Sequence, residues 1–88
     1  MSIEAAKKLL YEWVESPGLR KHCESVAASM AYFAKKNGED VEMWTVAGLL
    51  HDFDYERFPT MEDHPYKGSA HLSEIGVDAK IINAIMSH

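Results

Sequence analysis

Eighty-eight residues make one domain with a single modest core, and a chain of this size buries only about 60% of its extended surface, so its stability is marginal without a metal or a partner. Hydrophobic residues form 47% of the chain and are spread along it, which excludes a disordered polypeptide. The net charge of -5, with no basic cluster beyond Arg20-Lys21, Lys7-Lys8 and Lys35-Lys36, excludes a phosphate-tracking surface for nucleic acid.

The pattern is helical throughout, with no strand alternation and no repeat. Ser2 caps a first helix whose Ile3, Ala6, Leu10 and Trp13 follow the helical period. Ser16-Pro17-Gly18 breaks it, and Pro17 suits the first position of the next helix. That second helix, about Pro17 to Asn37, carries Leu19, Cys23, Val26, Met30 and Phe33 on one stripe and stops at Asn37-Gly38. Asp40 caps a third helix over about 41 to 52, apolar nearly all round and therefore expected at the centre of the molecule. From Phe53 to Pro65 the period is lost and acids dominate, Asp54, Glu56, Glu62 and Asp63 against Arg57, which predicts a loop with Pro59 and Pro65 as breakers. A short helix around Tyr66 to Glu74 follows, Gly76 stops it, and Asp78 caps a last helix with Ile81, Ala84, Ile85 and His88 on one stripe. His88 falls inside an apolar helical pattern without glycine, basic last turn or polar tail. The expectation is a partial domain whose exposed Ile81, Ile82, Ile85 and Met86 favour a homodimer.

Cys23 is the single cysteine, so no internal disulfide forms, which fits a reducing cytoplasm; its place on the apolar stripe makes it a small buried hydrophobe. The chain opens on a charged amphipathic helix rather than a signal peptide, and no apolar run approaches the roughly 20 residues of a membrane span. A cytoplasmic protein without membrane contact is expected.

The feature that points to chemistry is His51-Asp52, closing the apolar stretch from Met43 to Leu50. A histidine and a carboxylate there are costly to bury uncompensated, and a divalent cation compensates both, since imidazole nitrogen and carboxylate oxygen are good ligands for first-row metals. His22, which borders the core-facing stripe of the second helix, offers a third donor. On an ideal helix Asp52 points about 100° away from His51, so a cation takes both only near the helix end, with His22 approaching from the helix alongside. Each residue alone has a plainer use: His22 at a helix surface, His51 bonded to a backbone carbonyl, Asp52 as a cap or partner of Arg57. Asp54 follows the pair by two and can orient a ligand or water. Arg57 can hold a substrate phosphate through its planar fork, or make a surface salt bridge to Glu56 or Asp54.

The stretch AGLLHDFD at 47–54, with His22 about thirty residues before it, resembles the HD-domain metal-dependent phosphohydrolase superfamily, above all its small bacterial members. The resemblance covers nearly the whole chain but only the first half or so of the usual domain. The family pattern is His…His-Asp…Asp on a bundle of helices. His22, His51 and Asp52 match three of its members, and the final aspartate has no counterpart in this sequence. The resemblance implies an all-α bundle of about five helices, and a divalent cation on His22, His51 and Asp52, with His51 and Asp52 also serving catalysis. It further implies hydrolysis of a phosphomonoester or nucleotide by a metal-activated water. His64 and His88 resemble the extra histidines that some branches use for a second metal or for substrate phosphate; a loop histidine and a helix-face histidine are the plainer readings. Mixed nitrogen and oxygen ligands admit manganese, iron, cobalt, nickel or zinc, and magnesium less readily. The acidic balance favours a small phosphorylated substrate over RNA or DNA. The alternative is a catalytically incompetent HD-like module that binds a ligand or a protein.

Overall fold

The protein, seen in a computed structural model that describes residues 1–60, 64 and 66–86, is all-α. Its described elements are α1 (Ile3–Trp13), α2 (Pro17–Asn37), α3 (Val41–Leu50), α4 (Tyr66–Glu74) and α5 (Ala79–Met86). Short polar side chains start the first three. Ser2 Oγ accepts from the Ala5 amide at 3.1 Å, Ser16 Oγ from Leu19 at 3.2 Å ahead of Pro17, and Asp40 Oδ1 from Met43 at 3.1 Å. Gly38 closes α2 in the left-handed conformation at φ 70°, which lets the Glu39 amide return to the Ala34 carbonyl at 2.8 Å.

α3 is the central helix, with Val46 to Leu50 all buried, and it packs on α1, α2 and α5. Its closest neighbour is α2. A Cβ built on Gly48 would stand 2.6 Å from Ala27 Cα and 2.9 Å from Ala27 N, so the backbones approach as only glycine permits. This contact corrects the expected stripe of α2. Cys23, Ala27 and Ala34 face the core, while Val26 and Met30 are half-buried and Phe33 is exposed. Small side chains win the inner face because the larger ones would hold the two helices apart.

Three further expectations change. α3 ends at Leu50 rather than near 52. His51 is its cap, and turns continue to Arg57, with the Phe53 amide on the Leu50 carbonyl at 3.4 Å and the Tyr55 amide on the Asp52 carbonyl at 3.0 Å. The acidic loop is not solvated at its start: Phe53 packs against Trp13 with ring centroids 4.7 Å apart, and Asp54 is only 1% exposed. Most of the apolar face of α5 is covered too: Ile81 and Ile85 are buried in the core and Ile82 is half-buried against it, while Met86 stays 38% exposed as expected. The helix packs on α3 within one chain. Among the described residues, no helix is long and apolar enough to cross a membrane.

Candidate metal centre

The Gly48–Ala27 contact sets where the site forms. His22 stands five residues before Ala27 on α2 and His51 three after Gly48, so the close crossing brings their rings to a centroid separation of 5.3 Å. Asp52 reaches back to His51 even though His51, the cap of α3, keeps helical dihedrals at φ -61° and ψ -31°. Its Oδ2 lies 2.9 Å from His51 Nε2 and 3.4 Å from His22 Nε2. One donor atom from each of His22, His51 and Asp52 falls within 4.8 Å of the others.

Hydrogen bonding fixes what these nitrogens can do. His51 Nδ1 is 2.7 Å from the Gly48 carbonyl, which can only accept, so Nδ1 carries a proton. In the neutral ring the Nε2 lone pair therefore faces the Asp52 carboxylate. Only positive charge between them, a proton or a cation, makes that contact attractive. Burial works against the charged ring, yet the Asp52 hydrogen bond and the Gly48 carbonyl outweigh it, and the pKa of His51 rises above its ordinary value.

His64 joins the same carboxylate from the other side, its Nε2 at 3.1 Å from Asp52 Oδ1. Its Nδ1 contacts Asp54 Oδ1, and the second Asp54 oxygen accepts the Gly68 amide at 2.9 Å. Gly68 must be glycine here: a Cβ on it would meet the Asp54 carboxylate and the Phe53 ring at 2.7 Å. Asp54 is thus a buried brace that pins the His64 proton and aims Nε2 at Asp52. Neither the His64–Asp52 contact nor the Gly68 brace was evident from the sequence. The signals available were a glycine inside a helical segment and the spacing of Asp54 from His51-Asp52.

Arg57 is placed differently from both expected uses. Its guanidinium lies 4.2 Å above the Trp13 ring and donates to the Glu12 carbonyl at 3.2 Å. Arg20 mirrors it, stacking over Tyr11 and donating to the Val14 and Tyr11 carbonyls at 2.6 and 3.0 Å. Both arginines of the chain are therefore held at the C-terminal end of α1, where carbonyls lack helical partners. Cys23, beside His22, is a buried free thiol, and burial, with the Asp52 charge, pushes its pKa up to about 11. His71 stacks on Trp13 at 4.8 Å and belongs to that aromatic cluster. His88 lies outside the described residues.

The donor set of His22, His51 and Asp52 fits a first-row divalent cation by its chemistry, two imidazoles and a carboxylate with the outer hydrogen bond of His51 in place. Comparison with known proteins agrees. The sequence pattern of one family, described as HD domain, matches residues 19–88, a span that contains every residue of this cluster. A search of curated proteins and a search of solved structures each gave no match.

Proposed function

The chain belongs to the HD-domain family, and from that premise we propose that it is a metal-dependent phosphohydrolase acting on a small phosphomonoester or nucleotide. One observation carries the reading. Asp52 is faced by the Nε2 atoms of His22, His51 and His64, and acceptors elsewhere hold the Nδ1 protons of His51 and His64. Such a carboxylate is arranged for a cation.

A divalent cation on His22, His51 and Asp52 would supply Lewis acidity for phosphoryl oxygens and would acidify water toward neutrality. Manganese, iron, cobalt, nickel or zinc suit this set better than magnesium. The chain's own residues do the rest. The Gly48 carbonyl holds His51 in the tautomer that presents Nε2. Asp54 does the same for His64, which stands at the far oxygen of Asp52 and serves a second cation or the substrate phosphate. The His22 side chain is 54% exposed, so the cluster opens to solvent on the α2 side, where a substrate can enter. With both arginines engaged at α1 and a net charge of -5, recognition of a polyanion has no support outside the cluster.

The test is hydrolysis of a panel of phosphomonoesters by the manganese-, nickel- or zinc-loaded protein. Turnover that disappears with chelation and in Asp52→Ala is expected. Turnover that survives both would overturn the reading. Metal binding without turnover of any ester would assign the chain to the silent, ligand-binding alternative.

A further inference from the structure

Beside the cluster lies a second feature. A cleft of about 340 Å³ is lined by Ser16, Leu19, Tyr55, Glu56 and Pro59, a size within the range of small-molecule sites. Its walls are built on the same elements as the cluster. Leu19 sits one helical turn before His22 on α2, and Tyr55 follows Asp52 by three residues with its amide on the Asp52 carbonyl. The Tyr55 ring meets the His64 ring edge-on, with centroids 5.7 Å apart. A molecule bound at the cluster thus has this cleft as its neighbouring surface.

The chemistry of the cleft is narrow. Leu19, Pro59 and the face of Tyr55 are apolar, and Tyr55 is 49% exposed, so its ring is open to a stacking partner. Glu56 lines the cleft as a fixed carboxylate, its Oε1 accepting the Glu15 amide at 3.0 Å and its Oε2 the Ser16 amide at 3.1 Å. Among the described lining residues there is no lysine, arginine or histidine. A ligand with a second phosphate would meet the Glu56 carboxylate and no lining cation among the described residues, whereas a flat apolar group would be desolvated against Tyr55, Leu19 and Pro59.

We propose that this cleft seats the alcohol half of the substrate, and that the substrate is the phosphomonoester of an apolar, ring-bearing alcohol with no second anionic group. The assignment rests on the phosphohydrolase reading and narrows it. The phosphate lies at the histidine–aspartate cluster, and the ring lies between Tyr55 and Leu19. Where contacts to a non-reacting part of the substrate are equally strong in the ground and transition states, as stacking in a preformed cleft is, they lower KM and leave kcat alone.

The experiment compares 2-phenylethyl phosphate with ethyl phosphate on the metal-loaded protein, a pair whose leaving groups are both primary alkoxides. The expected KM is lower by about tenfold or more for the phenylethyl ester at similar kcat. In Tyr55→Ser the ratio of the two kcat/KM values falls to about twofold. Independently of turnover, 2-phenylethylphosphonate titrated into the zinc-loaded protein shifts the backbone amide resonances of Leu19, Tyr55 and Glu56. Equal KM values, a ratio unchanged in Tyr55→Ser, or shifts that leave Leu19 and Tyr55 unmoved would overturn the cleft while leaving the hydrolase intact. Turnover of neither ester, nor of any other phosphomonoester, would remove the hydrolase reading and this substrate with it.

Discussion

At the scale of single residues the site is a chain of fixed protons. The Gly48 carbonyl holds the Nδ1 proton of His51, Asp54 holds that of His64, and the Gly68 amide holds Asp54 in turn. Asp54→Asn tests this chain, because the amide offers one acceptor where the carboxylate offers two. Its NH2 then opposes either the His64 proton or the Gly68 amide in a buried place. The expected cost is about 1–3 kcal/mol of stability, read by chemical denaturation. With His64 no longer oriented, metal affinity measured by competition with a chelator falls by roughly 10–100-fold. An affinity equal to wild type would show that Asp54 braces the fold alone. The sequence made Asp54 a candidate through its spacing, but the pairing with His64 depends on a turn that no local pattern encodes.

At the scale of elements, the crossing of α2 and α3 decides both packing and chemistry. A methyl on Gly48 would run into the Ala27 backbone, which cannot rotate away as a side chain can. Gly48→Ala should therefore cost about 1–3 kcal/mol and lower Tm by roughly 5–20 °C. Since the same crossing sets the distance between His22 and His51, metal affinity should fall with it; a stable variant with unchanged affinity would separate the two roles. The turn after Asp52 is tied to the α1–α2 junction by Glu56, whose two oxygens accept the Glu15 and Ser16 amides. Those hydrogen bonds, Glu15 first, hold its carboxyl below the ordinary 4.5. A carboxyl with a depressed folded pKa stabilises the fold above its unfolded value and loses that contribution as pH falls through the folded one. Denaturation midpoints of wild type and Glu56→Gln should thus differ at pH 7, and the difference should shrink as pH falls below 4.5; a constant difference would contradict the assignment. The starts of α1, α2 and α3 and the stop of α2 were legible because Ser2, Ser16, Asp40 and Gly38 act through local hydrogen bonds. The inner face of α2 was not. Periodicity placed Cys23 inside correctly, but with it Val26, Met30 and Phe33, and only the partner helix, with its glycine, selects Ala27 and Ala34 instead.

At the scale of the whole molecule, an acidic domain of 88 residues with a modest core gathers three imidazoles around one carboxylate. A cation that binds the folded chain and not the unfolded one stabilises it by mass action, about 2.7 kcal/mol at a hundredfold excess over Kd. Adding manganese or zinc should raise Tm by roughly 10–20 °C, and a chelator should reverse the rise. The convergence of His22, His51 and Asp52 was legible because a His-Asp pair at the end of an apolar helix needs compensation. The role of Arg57 was not, since its engagement with Trp13 and Glu12 arises from residues more than forty positions away. The central claim is that His22, His51 and Asp52 hold a cation, and elemental analysis of the purified protein beside Asp52→Ala tests it most directly. Near-stoichiometric manganese, iron, cobalt, nickel or zinc in the wild type and its loss in the variant are predicted. No metal in the wild type, or equal metal in both, would contradict it.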